Sequence, residues 1–346
     1  MLIQTVATVS YLPLVRVLFG SISQHSKDIQ YSILVTDVTP EGLQKLRPHL
    51  SPNIELLCCE DLGVDAIDRM RTYYDALEFN SACKVLIMNH QLTKSSHSEC
   101  LFLDPDMYLF SDVRKIVEKC SQDIMVTPHT IAAYPDDGEL PNDMELVRSG
   151  HINGGIFYVR KSEKSMKALQ WLVAQTEFRW FVAPRSGLYG DQQWFSLLPY
   201  YFHEATQVSM DPSMNVAYWN LHSRRLSYVG DQIWVNDERP LLLFHFSGFG
   251  VPSEGHLSKH SRRSFDSQTN QVVSQLITKY EALLVSEKKK QHYLGLEGEF
   301  KFVTSPLGGR MKMASQASGS KYTFIDDTQG FFARVGRFFD RTLQRI

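Results

Sequence analysis

An alternation of strand-length apolar runs with helix-length amphipathic stretches, filling the N-terminal third of the chain, constrains this fold most. Residues 3–9, 31–36, 54–58 and 101–103 read as strands; residues 12–24, 40–46 and 65–92 read as helices, the last broken near Tyr73. Such alternation predicts a parallel sheet with helices on both faces, and such sheets bind ligands at the carboxyl ends of their strands. The fourth apolar run, Leu101-Phe102-Leu103, stops at Asp104-Pro105-Asp106. Pro105 has no backbone donor for the ladder, so the chain leaves the sheet there. Two carboxylates then stand together at a strand mouth, where they repel unless a cation lies between them. The pair reads as a hard-metal site of the kind that holds a diphosphate. Asp-Pro-Asp is also ordinary turn chemistry, so the triplet alone does not decide.

Beyond residue 110 the order is less regular. Residues 123–126 and 156–159 read as strands, 164–174 as a helix, 241–246 as an inner strand and 270–284 as a helix that runs on to Lys288-Lys289-Lys290. From Gly295 onward, Gly308-Gly309, several serines and scattered basic residues suggest a loosely held tail. Residues 331–346 recover helical spacing, with Phe331, Val335, Phe338, Phe339, Leu343 and Ile346 against Arg334, Arg337, Arg341 and Arg345. A basic amphipathic helix of that kind suits an anionic membrane surface or a protein partner.

Composition removes several classes of function. A formal net charge of −2 over 346 residues gives no electrostatic case for nucleic acid. There is no basic apolar leader and no run of membrane-spanning length. The five cysteines are odd in number and include the adjacent Cys58 and Cys59, which reads as reduced thiols of a cytoplasmic protein. No glycine-rich dinucleotide fingerprint or phosphate loop follows the first strand, which argues against a dehydrogenase or a kinase.

Further polar clusters stand where apolar runs stop. His245 precedes Phe246-Ser247-Gly248-Phe249-Gly250, whose glycines let backbone approach a ligand. One imidazole and two carboxylates leave open positions on a six-coordinate ion such as manganese. Asn153-Gly154-Gly155, just before the strand at 156–159, is either a plain turn or an amide reaching a sugar hydroxyl. Asp191 opens a helix as an N-cap, or offers with Gln192 the polar groups that sugar hydroxyls need. Asn215-Val216-Ala217-Tyr218-Trp219-Asn220 is one more polar-aromatic patch.

In this order and separation, over residues 1–265, the elements resemble the GT-A fold glycosyltransferases, particularly the retaining sugar-nucleotide transferases of glycosyltransferase family eight and their bacterial relatives. The residues that carry the resemblance are Ala7-Thr8, Tyr11, Lys84, Asp104-Pro105-Asp106, Asn153-Gly154-Gly155, Asp191-Gln192 and His245-Phe246-Ser247-Gly248. It implies an α/β fold with a Rossmann-like, mostly parallel central sheet flanked by helices, a small mixed second sheet and a helical C-terminal tail. The implied division is a catalytic domain, 1–294, and an extension, 295–346. The implied activity is metal-dependent transfer of a sugar from a nucleoside diphosphate, UDP by preference, to a glycan, lipid-linked or other hydroxyl acceptor, with retention. Asp104, Asp106 and His245 would ligate Mn2+ or Mg2+. Ala7, Thr8 and Tyr11 would hold the base, and Lys84 the sugar or phosphate. Asn153, Gly154, Asp191 and Gln192 would line the donor sugar, the last two as catalytic residues, with Gly248 and Asp104 also at the donor. Residues 178–201 are the expected acceptor surface, and the expected location is cytoplasmic, in peripheral contact with the inner face of the membrane through the C-terminal helix.

The chain departs from the family pattern after His245. A phosphate-binding lysine followed by Pro-Trp is expected within a few residues, but the first lysine is Lys259, and Lys259 or the nearby Arg262 is the expected group to fold back onto the diphosphate. Two other readings stay open: a sugar-phosphate nucleotidyltransferase, which would carry a glycine-rich basic segment after the first strand, and a non-catalytic nucleotide-sugar or glycan-binding module.

Overall fold

The computed structural model describes residues 1–261, 263–319 and 321–322. In the N-terminal half the strands are β1 (Leu2–Ala7), β2 (Gln30–Val35), β3 (Ile54–Cys58), β4 (Glu99–Leu103), β5 (Met107–Leu109), β6 (Ile124–Pro128) and β7 (Ile152–Arg160). The helices among them are α1 (Leu12–His25), α2 (Pro40–Leu46), α3 (Ile67–Tyr73), α4 (Ala76–Lys94) and α5 (Asp143–Ser149). There follow α6 (Glu163–Thr176), the short hairpin β8 (Val182–Ala183) and β9 (Leu188–Tyr189), α7 (Gly190–Phe195), α8 (Leu198–Tyr201) and β10 (Thr206–Val208). Strands β11 (Leu226–Val229), β12 (Gln232–Val235), β13 (Arg239–Pro240) and β14 (Leu243–His245) lead to α9 (Ser267–Tyr293) and α10 (Leu307–Ala317).

The central sheet has seven strands in the order β10-β6-β7-β4-β1-β2-β3. Within it only β7 runs antiparallel to its neighbours, so the expected mostly parallel sheet is present. Side chains alternate between its two faces, as the pleat requires. Leu2 and Val6 of β1 join Cys100 and Phe102 of β4 in a core under α4, whereas Ile3, Ala7, Leu101 and Leu103 join a second core with α1. A third core unites β5, β11, β12 and β14 with α9. The helical stretch at 65–92 is broken as expected. Asp75 caps α4 by accepting from the Glu78 N–H, and the Glu78 carboxylate accepts from the Asp75 N–H in return.

Three expectations need correction. The apolar run 241–246 is not an inner strand of the central sheet: β14 pairs with β5 in a separate two-stranded ladder and is buried between the second core, through Leu243, and the third, through Phe244. Asn153-Gly154-Gly155 is not a turn before a strand but the interior of β7, opposite an irregularity between Val126 and Thr127 of β6. The tail from residue 295 is not loosely held as far as it is described. Glu299 accepts from both the backbone N–H and the hydroxyl of Thr39 at 2.7 Å, and Glu299 N–H donates to Asp37 O at 2.6 Å. Met311 and Ala314 of α10 are buried in the first core, and Arg310 pairs with Glu78 and Asp75. Composition was a poor guide here because a few specific anchors fix a segment that is otherwise polar. The amphipathic stretch 331–346 lies outside the described residues. Among the described residues no helix is long and apolar enough to cross a membrane. All five cysteines are free, four of them buried.

Candidate metal and donor site

Local register builds the site. Strand β5 begins directly after Asp106 and pairs antiparallel with β14, which sets His245 opposite Met107. The Phe246 N–H donates to Asp106 O at 2.8 Å, and the Asp104 N–H donates to Gly155 O at 2.9 Å, tying the acidic turn to β14 and β7. His245 Nε2 therefore lies 3.0 Å from Asp106 Oδ1 and 4.0 Å from Asp104 Oδ2. One ligand atom from each residue falls within 4.8 Å of the others. An octahedral ion with bonds of about 2.1 Å separates adjacent ligands by about 3 Å and opposite ones by about 4 Å, which the two distances from His245 Nε2 match. Two carboxylate oxygens and an imidazole nitrogen suit Mn2+ or Mg2+.

The two carboxylates are driven apart in acidity. Burial raises the Asp104 carboxyl, and repulsion from Asp106 adds to it against the pull of Lys84. Burial acts the same way on Asp106, but the charge and hydrogen bond of His245, with a backbone hydrogen bond and Lys84, together outweigh it and the carboxyl is lowered.

Lys84 comes up from α4 beneath this pair. Its Nζ donates to Gly154 O at 2.7 Å and to Asp191 Oδ2 at 2.6 Å, and lies 3.2 Å from Asp104 Oδ1. Burial disfavours its charge, yet Asp104 and Asp191 prevail and its pKa is raised. All three ammonium hydrogens are thus engaged by protein. Asp191, buried at the start of α7, sits so close to β7 that a Cβ on Gly154 would lie 2.0 Å from its Oδ2. A Cβ on Gly155 would lie 2.5 Å from Met107 Cε and 2.7 Å from His245 Cε1. The glycines are there for close approach, not for a turn.

The Asn153 amide, expected at a sugar hydroxyl, is engaged at both ends. Its Oδ1 accepts from the Gly155 N–H and from Asn215 Nδ2, each at 3.0 Å, and its Nδ2 is 3.4 Å from His129 Nε2. Gln192 lies in the first turn of α7, with a buried Oε1 that meets no donor. Ala7 and Thr8 close β1, and Tyr11 is half-exposed beyond them, near enough to Asp106 for that charge to add to burial in raising its phenol. Gly248 has φ +71°, and a Cβ there would strike His260 at 2.5 Å. The Lys259 N–H donates to Gly248 O at 3.0 Å, so the backbone of Lys259 is brought beside the His245 turn while its side chain is exposed. Arg262 lies outside the described residues.

Sequence reasoning marked the patch 215–220 as polar-aromatic but missed what it does. Asn215 Oδ1 lies 3.0 Å from His245 Nδ1, and Trp219 stands edge-on to the same ring at 5.1 Å. His129 went unnoticed altogether. It is buried and its pKa is lowered to about 4, chiefly by burial, with the His245 charge adding to this against hydrogen bonding to the His151 carbonyl.

Fold and site together define an α/β protein with an Asp-Asp-His cluster of metal-binding geometry at the carboxyl edge of its sheet. No protein-family model matches the chain. It is similar to the uncharacterised protein YfnF of Bacillus subtilis (strain 168), 23% identical over 238 residues that span 68% of this chain and 77% of YfnF. Among solved structures it is similar to the galactosyltransferase LgtC in complex with donor and acceptor sugar analogues, with a TM-score of 0.45 and 12% identity over 90% of this chain and 100% of LgtC. Mouse xyloside xylosyltransferase 1 gives a TM-score of 0.38 and 15% identity over 63% of this chain and 87% of its own.

Proposed function

We propose that this chain is a GT-A glycosyltransferase resembling family eight, which moves a sugar from a nucleoside diphosphate, UDP by preference, to a hydroxyl acceptor with retention. The observation that carries the reading is the meeting of Asp104, Asp106 and His245, distant in sequence, at the sheet edge where α/β proteins bind ligands. These three would hold Mn2+ or Mg2+, which neutralises charge developing on a departing diphosphate. The unit 1–294 carries these residues, and 295–346 is an extension of it.

The chain's own groups divide the remaining work. Tyr11, half-exposed in the turn that follows β1, stacks on the base. Lys84 holds Asp191 against Asp104 and so fixes the sugar-facing carboxylate relative to the phosphate site. With Oδ2 bound to an ammonium at 2.6 Å, Asp191 is a poor nucleophile and a good field source for positive charge at the anomeric carbon. That favours attack by the acceptor on the face the diphosphate leaves, without a glycosyl-enzyme bond to Asp191. Gln192, whose Oε1 lacks a protein donor, accepts from a sugar hydroxyl.

A donor screen tests this. The protein is incubated with a panel of nucleotide sugars and Mn2+, and released nucleotide is measured. One donor is expected to be hydrolysed far faster than the rest, with a chelator lowering the rate about a thousandfold, equivalent to about 4 kcal/mol. Release indifferent to the chelator, or pyrophosphate formed from a sugar phosphate and a nucleoside triphosphate, overturns it.

A further inference from the structure

We propose that Asn215 is a positioning residue for the metal site: it holds the Nδ1–H of His245 and so leaves Nε2 as the nitrogen that turns toward Asp104 and Asp106 to meet an ion. The inference rests on the reading of that cluster as a cation site and concerns how the imidazole is held ready for it.

One group here has no choice of orientation. The backbone N–H of Gly155 donates to the Asn153 side chain at 3.0 Å, so the atom it meets is the amide oxygen. That oxygen also faces the Asn215 side chain at 3.0 Å, and two oxygens cannot share a hydrogen bond without a donor, so Asn215 presents its NH2 there. The other hydrogen of the same NH2 goes to Thr127 Oγ1 at 3.0 Å. Asn215 Oδ1 must then point the opposite way, to His245 Nδ1 at 3.0 Å, and an amide oxygen only accepts. Nδ1 therefore carries a hydrogen, which leaves Nε2 as the nitrogen that faces Asp106 Oδ1 at 3.0 Å, donating to it while no ion is bound and presenting its lone pair there once an ion displaces that proton. The far end of the chain agrees. Asn153 Nδ2 faces His129 Nε2 at 3.4 Å, which leaves His129 Nδ1 to donate to His151 O at 3.3 Å. A backbone amide on β7 thus dictates, through two asparagines, which nitrogen of His245 is left to meet an ion.

The surroundings hold this arrangement rigid. Asn215 is fully buried with φ +53°, a left-handed conformation that asparagine tolerates better than most side chains. Its own carbonyl accepts from Asn220 Nδ2 at 2.9 Å, and Asn220 also donates to His129 O at 2.9 Å. Ligating histidines elsewhere are commonly fixed in this manner by a partner on the second ring nitrogen, and loss of that partner costs about 10- to 100-fold in metal affinity.

The test uses the full chain and Mn2+ alone, with free Mn2+ followed by electron paramagnetic resonance. Asn215→Gly keeps the left-handed backbone and removes the amide; Asn215→Asp keeps the acceptor for Nδ1. The expected result is binding by the wild type, about 10- to 100-fold weaker binding by Asn215→Gly, and an intermediate affinity in Asn215→Asp, which keeps the acceptor for Nδ1 but loses the donor to Asn153 and Thr127. Unchanged affinity in a folded Asn215→Gly, with only its melting temperature lowered, overturns the proposal while leaving the metal site standing. Absence of Mn2+ binding by the wild type removes the site and this proposal together. Long-range 1H–15N spectra of the metal-free wild type decide independently of any variant's folding: hydrogen held on Nδ1 of His245, alone or with one on Nε2, supports the inference, and a neutral ring with its hydrogen on Nε2 alone overturns it.

Discussion

Gly154 shows how closely this site is toleranced. With a Cβ position 2.0 Å from Asp191 Oδ2, Gly154→Ala is expected to displace Asp191 and strain β7, at a cost of about 1–3 kcal/mol in a urea titration. Donor hydrolysis should fall about a hundredfold, because a shift of about 1 Å in a positioned group has that effect. Lys84 is the converse case, a charge whose removal strands its partners. Lys84→Met leaves Asp104 and Asp191 without a counter-ion and should cost about 3–5 kcal/mol, and less when combined with Asp191→Asn. His129 gives the residue scale its pH signature. Its folded pKa, about 4, lies below the ordinary 6.5, so the unfolded chain binds the proton first as pH falls. The stability its neutral form supplies is complete above about pH 6.5 and is lost through the window down to about 4, a difference of about 3 kcal/mol. Urea midpoints at both ends of that window should converge more closely in His129→Gln than in the wild type.

The elements record what was legible beforehand. Strands β1 to β4 and helices α1 to α4 follow from apolar periodicity, and the acidic turn follows from Pro105, because both are local properties of the chain. The meaning of Asn153-Gly154-Gly155 was hidden, since Asn and Gly favour turns and only the packing of Asp191 and His245 against β7 explains them there. Asn215 was hidden for the same reason: its partners Thr127, Asn153 and His245 come from three other segments. The docking of α10 depends on Arg310, whose guanidinium meets Glu78 on α4. Burial raises the Glu78 carboxyl, and the hydrogen bond from Arg310 opposes that rise. A raised folded pKa means that the native state holds the proton more tightly, so its contribution to stability is lost as pH rises through it. Arg310→Met removes the opposition and should cost about 3–5 kcal/mol at neutral pH, a penalty that shrinks as the pH is lowered and Glu78 is protonated. The wild type measured in parallel removes the His129 trend from the comparison.

For the whole molecule, the sheet, the two-stranded ladder of β5 and β14 and the anchored tail serve one geometry. β4 delivers the carboxylates, β14 delivers the imidazole, and β7 with α4 and α7 delivers the Gly154, Lys84 and Asp191 wall. The tail reaches the same edge, because Glu299 binds Thr39 and its N–H donates to Asp37 O at 2.6 Å, just past β2. The central claim is that three converging side chains hold one divalent ion on which the phosphates of a nucleotide depend. Thermal unfolding with UDP, in Mn2+ and in chelator, tests it most directly. The account predicts stabilisation by UDP in Mn2+ alone, about 2.7 kcal/mol at a hundred times Kd, and none in Asp106→Ala. Equal stabilisation by UDP in chelator, or an Asp106→Ala variant that responds like the wild type, would contradict it.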